Sequence, residues 1–376
     1  MKELYAWVDR MNEMKIDADT AAFPASIKTY RISSPSALDF DDSLVRIEDC
    51  NQEVTSFGTF PSRMSSLHFA DPSADVAISR AVATQLGAVL TFASNRKIQV
   101  SANDMAIGME GSSFTTFLPS LFSERELLGP VEADIRGTFE GLLRQLIGLP
   151  IEHRESIGAA IDLHNAAVQL YETDTTTAHM LTIAGIETLS AHFDVSEPLW
   201  EEYDEYERFD RSFDEIELTE GQRTLLRIEI LKNKQLKLRQ RFASYASSRV
   251  GKTFWDEPIR DFVPNLEMRA ETGSTFIGVV EGETIPMENY VPRDPEVFRR
   301  RLLATYDARS KYVHVGAKVM DSMTSLQATV GIRSDKASSI EFAGTRRILA
   351  CLIRAELATH STPAELPNLR LQHGSS

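Results

Sequence analysis

Cysteine is scarce in this chain of 376 residues, with only Cys50 and Cys351, which lie far apart. They match no zinc-binding or dithiol motif, and two cysteines do not form the disulfide framework of a small secreted protein. No run approaches the roughly 18 consecutive apolar residues of a transmembrane helix. The first 17 residues carry charge throughout and lack the apolar segment of a secretory signal peptide. These absences predict a cytoplasmic protein that does not engage a membrane.

Positive charge is also in deficit. The chain has 40 Lys and Arg against 55 Asp and Glu, a formal net charge of −15 that argues against coating nucleic acid through the overall field. A local basic groove stays compatible with this total, because the charge is unevenly spread. The hydrophobic fraction of 42% supplies enough apolar surface for a sizeable core, which excludes a mainly disordered chain.

Familiar catalytic motifs are missing. The sequence has no P-loop, no GxGxxG after a strand, no HExxH and no GxSxG. Residues 204–215 have the length of a calcium loop, but Phe209 stands where the loop requires glycine, and Tyr206 and Arg208 replace ligands. We therefore predict no metal and no cofactor, and we interpret this acidic run as a solvated surface.

Residues 1–130 combine short strand-like runs with one amphipathic helix. Apolar side chains at three- and four-residue spacing predict the helix over 75–94. The predicted strands are 27–32, 44–47, 54–60 and 97–100. This pattern is typical of an α+β domain of unknown role, a candidate sensor or partner-binding module.

Residues 131–365 are typical of an all-α helical bundle, so the whole chain is predicted to be mainly α. Residues 194–217 form an acidic insertion, residues 253–292 a Pro- and Gly-rich insertion or long connection, and residues 366–376 a flexible tail. The predicted helices are 131–149, 155–171, 178–193, 223–252, 294–314 and 337–359.

Charge changes sign abruptly between two neighbouring segments. The acidic stretch 194–217 is followed by 223–252, where Glu229 is the only carboxylate among nine Lys and Arg. The basic segment is either an RNA-binding track or the surface against which the acidic stretch folds back. We favour intramolecular pairing.

The sequence ATYDARSKYVHVG, residues 304–316, contains the most informative arrangement. Arg309 offers a planar, permanently charged fork for phosphate oxygens, and His314 can exchange a proton near neutral pH. Together they can support RNA cleavage without a metal, with histidine moving protons and arginine neutralising the phosphorane. On an ideal helix the two point about 140° apart. They can therefore meet at one phosphate only if the helix unwinds or a second protomer contributes.

The spacing alone is not specific. Arg63 with His68 and Arg354 with His360 also fit R-x(4–6)-H. A structural interpretation also exists, in which Arg309 complements the helix dipole and pairs with Asp307 or Glu187, and His314 caps carbonyls.

The sequence around Arg309 and His314 resembles that of the HEPN superfamily. Within this superfamily it is most similar to the ApeA-like branch of prokaryotic defence proteins. That family carries R-x(4–6)-H near a helix end, with a polar residue after the arginine and a small one after the histidine, as Ser310 and Gly316 provide. The segment AGIETL, residues 184–189, resembles the family's early helix with a glutamate, here Glu187, on an apolar face. The resemblance covers roughly residues 135–362.

The resemblance implies a homodimer whose two Arg/His pairs form one composite cleft. It implies a metal-independent endoribonuclease acting on tRNA or mRNA, in phage defence or as a toxin, triggered through the N-terminal domain by a phage-derived or protein signal. Gly316 stands where a nucleotidylated branch carries tyrosine, which puts that form of control in doubt. The implied roles are phosphate stabilisation by Arg309, acid/base catalysis by His314 and positioning by Ser310. Apart from the resemblance, we predict RNA contact by Lys311, Arg300 and Arg301, and structural orientation by Glu187 and Asp307.

Two alternatives to a ribonuclease belong to other classes of protein function. One is a non-catalytic scaffold that uses the same bundle for dimerisation and for binding RNA or protein. The other is a structural all-α domain without nucleic-acid partners, which the net charge of −15 favours.

Overall fold

The computed structural model shows a mainly helical protein with a small antiparallel sheet in its N-terminal part. This agrees with the prediction of an α+β region followed by helices. The structure describes residues 1–17, 26–34, 38–41, 45–54, 62–71, 75–94, 97–100, 135–171, 174–194, 199–203, 205–232, 238–269, 275–289, 291–315 and 339–362.

The chain opens with a helix that the sequence analysis did not predict, α1 (Lys2–Asp17). Its inward face has apolar residues at helical spacing, all of them buried: Leu4, Trp7, Val8 and Met11. The Trp7 indole packs edge-on against Phe69, and its Nε1 donates to the carbonyl of Ala70 at 2.8 Å. Helix α1 is therefore tied to the sheet through one large side chain.

The sheet has five antiparallel strands in the order β2-β3-β4-β1-β5. Strands β1, β3 and β5 overlap predicted strands, whereas β2 and β4 were not predicted. Most of the predicted strand 54–60 lies outside the described residues. In β4, Leu67 and Phe69 are fully buried on one face of the sheet, and His68 between them is only partly buried. The strands are β1 (Ser26–Ser34), β2 (Phe40–Asp41), β3 (Val45–Val54), β4 (Ser62–Asp71) and β5 (Gln99–Val100).

Helix α2 (Val76–Ser94) confirms the predicted helix over 75–94 and connects the two halves of the molecule. It packs against α1 and against the first two helices of the bundle. Among the described residues it is the one helix long and apolar enough to cross a membrane, but most of that apolar stretch is buried inside the protein. Burial of this kind is also typical of a core helix.

Six described helices form the bundle, and five were predicted at nearly these positions. The last one begins later than predicted, because residues 339–341 are not helical. The predicted long helix 223–252 is represented by two described helices, with residues 233–237 outside the described part. The bundle helices are α3 (Ile135–Ile147), α4 (Ile151–Leu170), α5 (Thr175–Phe193), α8 (Leu238–Arg249), α9 (Pro295–Val315) and α10 (Phe342–His360).

Residues 199–232, which we call the arm, form a helical hairpin between α5 and α8. Its helices are α6 (Tyr206–Glu215) and α7 (Glu220–Lys232). The turn between them includes Glu217 with φ of 53°. The acidic stretch is therefore partly helical. Most of its described carboxylates are nevertheless exposed, as the predicted solvated surface requires.

The segment 253–292, predicted to be an insertion or a long connection, contains an antiparallel β-hairpin that the sequence analysis did not predict. Strands β6 (Pro258–Arg269) and β7 (Thr275–Pro286) pair along most of their length with two irregularities in register. Proline and glycine do not prevent strands here, because a two-stranded hairpin leaves each strand with an unpaired edge.

The two halves of the chain share one contiguous hydrophobic core, which runs from Met1 to Leu357. The N-terminal ammonium of Met1 lies 2.5 Å from the Asp162 carboxylate on α4. The proposed boundary near residue 130 falls within 101–134, outside the described residues.

Two buried histidines predict acid sensitivity. Burial lowers the pKa of His179 to about 4 and that of His164 well below its usual range, so both are neutral in the folded protein. The unfolded chain takes up protons near pH 6.5, so stability is present above that pH and is lost as pH falls toward 4. His179→Leu should reduce the stability lost between pH 7 and 4.5 by about 2 kcal/mol, measured by urea unfolding at both values. The exposed Thr84→Leu, which introduces the same side chain without removing a titratable group, is the control, and an unchanged pH dependence in His179→Leu contradicts the prediction.

Candidate active site

Helix α9 carries the candidate motif, and its start is fixed by sequence. The Asp294 carboxylate accepts hydrogen bonds from the N–H groups of Glu296 at 3.0 Å and Val297 at 2.9 Å, which is an N-cap arrangement. Pro295 occupies the first turn, where its missing N–H costs nothing. The inward face packs on α8 and α5. It buries Phe298, Leu302 and Tyr306.

Arg309 and Glu187 form the centre of the candidate site. Arg309 Nη2 lies 3.0 Å from Glu187 Oε2, and the two side chains are 27% and 16% exposed. The Arg309 guanidinium also lies over the Tyr306 ring, 5.9 Å from its centroid. Of the two carboxylates considered as partners for Arg309, the structure thus places Glu187 against it.

Tyr306 completes this cluster. Burial, followed by the charge of Glu187 and a hydrogen bond to it, raises the pKa of Tyr306 to about 12. The neutral phenol donates to the Glu187 carboxylate, which therefore receives one neutral and one charged donor. These contacts hold Arg309 in place on one side, while the guanidinium retains further N–H donors.

Asp307 has a different partner from the one considered in the sequence analysis. Arg239 at the start of α8 binds it through two contacts, Nε to Oδ1 at 2.7 Å and Nη2 to Oδ2 at 3.0 Å. Such a fork-to-carboxylate pair fixes orientation as well as charge. Asp307 therefore joins α8 to α9 two residues before Arg309.

Helix α9 continues through the position of His314 to Val315. The helix does not unwind between Arg309 and His314. Their Cα atoms are therefore separated by about 7.5 Å along the helix axis and by about 140° around it. The unwinding alternative is therefore excluded for this segment. Ser310 is half-buried, and the side chains of Lys311 and His314 and all of Gly316 lie outside the described part of the structure.

The two predicted RNA-contacting arginines on α9 differ in exposure. Arg300 is exposed, but Arg301 is only 5% exposed. The burial of Arg301 argues against its predicted RNA contact, because a buried guanidinium cannot meet a phosphate in solvent without rearrangement.

The basic segment is largely used for internal pairing. Five of its arginines contact carboxylates of the same chain, and three of these carboxylates belong to the acidic stretch 194–217. This supports the folding-back interpretation over a continuous RNA track. The pairs are Arg223–Asp214, Arg227–Asp210, Arg239–Asp307, Arg241–Asp194 and Arg249–Glu356.

A histidine cluster missed by the sequence analysis lies where three helix ends meet. His153 Nδ1 is 2.8 Å from His192 Nε2, and the His153 and His360 rings are 4.5 Å apart. Burial and the two neighbouring histidines lower the pKa of His153. His360 contacts the buried Glu356 at 3.2 Å. Across the described ranges, no three His, Cys, Asp or Glu side chains are arranged to hold a metal ion.

Comparisons with known proteins add no evidence on the function of this site. No protein-family model, curated protein or solved structure matches this chain. The functional argument therefore depends on the residues and their geometry.

Proposed function

We propose that this protein is a dimeric, metal-independent endoribonuclease of HEPN type that acts on cellular RNA in the cytoplasm. The observation that carries the proposal is the Arg309–Glu187 pair, which the structural interpretation of Arg309 also expects. It fixes a guanidinium on the same continuous helix that bears His314. A fixed cation and a group that can exchange protons, both directed at one phosphate, are the minimum equipment for cleaving a phosphodiester by its own 2′-hydroxyl.

In this mechanism His314 removes the proton of the 2′-hydroxyl, and the 2′-oxygen attacks the adjacent phosphorus. Arg309 neutralises the phosphorane, where charge accumulates. The bond to the 5′-oxygen then breaks, and that oxygen takes a proton from a second histidine. The products are a 2′,3′-cyclic phosphate and a 5′-hydroxyl.

The helix geometry supports a dimer in this mechanism. Arg309 and His314 diverge by about 140° on one unbroken helix, so one protomer does not direct both at a single phosphate. In a dimer, the arginine of one copy faces the histidine of the other, and the second His314 supplies the acid. Damage to cellular RNA of this kind suits phage defence or a toxin, with the N-terminal half as receiver of the trigger.

The alternative is a non-catalytic scaffold that binds protein or RNA. One observation favours it, namely that the basic segment is mostly engaged in internal ion pairs. A scaffold would use the same helices for dimerisation without cleaving RNA.

Cleavage of tRNA and of an unstructured RNA in the presence of EDTA tests the proposal. We expect 2′,3′-cyclic phosphate ends from the wild-type chain and a rate about 10²–10⁴-fold lower for His314→Ala. His68→Ala is the matched control, since Arg63 and His68 have the same spacing on a different part of the chain. Cleavage by His314→Ala at the wild-type rate, or a requirement for a divalent metal, contradicts the proposal, and absence of cleavage with retained RNA binding favours the scaffold.

A further inference from the structure

A cavity lies where the two halves of the chain meet. Its volume is about 240 Å³, somewhat below the roughly 300–1,000 Å³ of pockets that hold drug-sized ligands. Helix α2 contributes Thr84 and Gly87, α4 contributes Asn165 and Gln169, and residues 98–100 at strand β5 form the third wall. Thr84 is exposed, so the cavity is open to solvent on that side. A cavity of this size can hold a small molecule of one or two rings.

The third wall is held in place by hydrogen bonds to both helices. The Ile98 carbonyl accepts from Gln169 Nε2 of α4 at 2.9 Å, and the Ile98 N–H donates to Thr91 Oγ1 of α2 at 3.3 Å. Val100 pairs with strand β1. Gly87 allows this wall to approach α2, because a Cβ atom at position 87 would collide with Val100 Cγ2. The cavity is therefore formed before a ligand enters, which avoids the cost of ordering its walls on binding.

The two amide side chains on α4 leave one donor and one acceptor open. Gln169 Nε2 uses both of its hydrogens, one for the Ile98 carbonyl and one for Asn165 Oδ1 at 3.3 Å. Among the described residues, Gln169 Oε1 and Asn165 Nδ2 have no hydrogen-bond partner. The two residues are four apart and so are neighbours on the helix surface. A ligand in the cavity therefore meets an N–H donor next to a carbonyl acceptor.

The described lining of the cavity contains no charged side chain. Lys97 precedes the third wall, but it does not line the cavity, and its Nζ donates to the carbonyl of Gln169 at 3.4 Å. A phosphate or carboxylate in this site would lose hydration without meeting an opposite charge, which is costly. The apolar side chains of Ile98 and Val100 instead favour an uncharged ring.

We propose that this cavity binds an uncharged nucleobase, free or as its nucleoside, with adenine as the representative. Adenine has an amino donor next to a ring-nitrogen acceptor, and asparagine and glutamine are the side chains that recurrently pair with these atoms. The acceptor nitrogen takes a hydrogen bond from Asn165 Nδ2, and the amino group donates to Gln169 Oε1.

The position of the cavity gives such a ligand contacts with both halves of the chain. Helix α2 and strand β5 belong to the N-terminal half, and α4 belongs to the bundle. A bound base therefore joins the two halves through one small molecule. This inference does not depend on the RNase proposal, because none of the lining residues belongs to the candidate active site.

Titration calorimetry of the full chain with adenine and with adenosine tests the proposal. We expect a Kd between about 10 µM and 1 mM, which a ligand of about ten non-hydrogen atoms can reach. Asn165→Leu removes the donor and should weaken binding about tenfold. Asn165→Asp keeps the shape of the side chain but not the donor, and should weaken binding at least as much without disturbing the fold. The control is Gln145→Leu, a half-buried amide on α3 outside the cavity, which should leave the Kd unchanged.

Further ligands separate nucleobase recognition from other kinds of binding. Binding of adenosine as tightly as adenine identifies the nucleoside as the ligand, whereas binding of adenine alone identifies the free base. Indole has two rings but no acceptor and should bind at least tenfold more weakly, and adenosine 5′-monophosphate should bind more weakly than adenosine. The proposal is overturned if neither adenine nor adenosine binds, if indole binds equally well, or if the monophosphate binds more tightly. Equal losses of affinity in the Asn165 variants and in Gln145→Leu also overturn it.

Discussion

Arg309→Ala is expected to lower the rate of RNA cleavage by about 10²–10³-fold, because the phosphorane loses its fixed positive charge. Arg309→Lys keeps the charge but not the planar fork, and should recover only part of the loss. Single-turnover cleavage of one defined RNA at saturating enzyme measures the chemical step. Arg299→Ala is the control, since Arg299 is on the same helix and contacts Gln240 instead.

Glu187→Gln distinguishes a positioning role from a purely structural one. The amide keeps a hydrogen-bonding oxygen for Tyr306 and Arg309 but removes the charge that orients the guanidinium. We expect a smaller loss than in Arg309→Ala, and little further loss when the two substitutions are combined, since they act on the same group. If Arg309→Ala changes thermal stability but leaves single-turnover cleavage at the wild-type rate, Arg309 only stabilises the end of its helix and has no role in cleavage.

The pairing of Arg309 shows what a sequence can and cannot establish about a site. Sequence placed Arg309 at a helix end and offered two carboxylates as partners. It could not choose between Asp307 and Glu187, because the choice depends on how α5 and α8 pack against α9. Arg239, which occupies Asp307, lies 68 positions earlier in the chain, and no local pattern connects them.

The helices were predictable where an apolar stripe lies at three- and four-residue spacing, as in α2. Strand β4 was missed because SRMSSLHFAD is short of β-branched residues, and its strand conformation depends on pairing with β1 and β3. The β6–β7 hairpin was missed because its prolines and glycines suggested a loop. In each case the conformation is stabilised by contacts that a local pattern does not contain.

Helix α1 was missed for another reason, since its signal is present in the sequence. Leu4, Trp7, Val8 and Met11 follow helical spacing, and the structure buries all four. The dense charge of this segment was used only to exclude a signal peptide, although charges on the outer face are typical of an amphipathic helix. A charged N-terminus can therefore belong to the core.

Trp7→Ala is accordingly expected to destabilise the protein by about 3–5 kcal/mol, through the cavity it leaves and the loss of the indole donor to Ala70. Trp7→Phe keeps most of the buried ring but not the N–H, and should cost about 1–3 kcal/mol. Urea unfolding followed by circular dichroism measures both. Lys2→Ala, an exposed position on the same helix, should stay within about 0.5 kcal/mol of wild type.

Because α1 shares one core with α2 and the bundle, the loss of stability in Trp7→Ala should appear as a shift of a single unfolding transition. An unchanged bundle transition with separate melting of the sheet region would show instead that the N-terminal half folds independently.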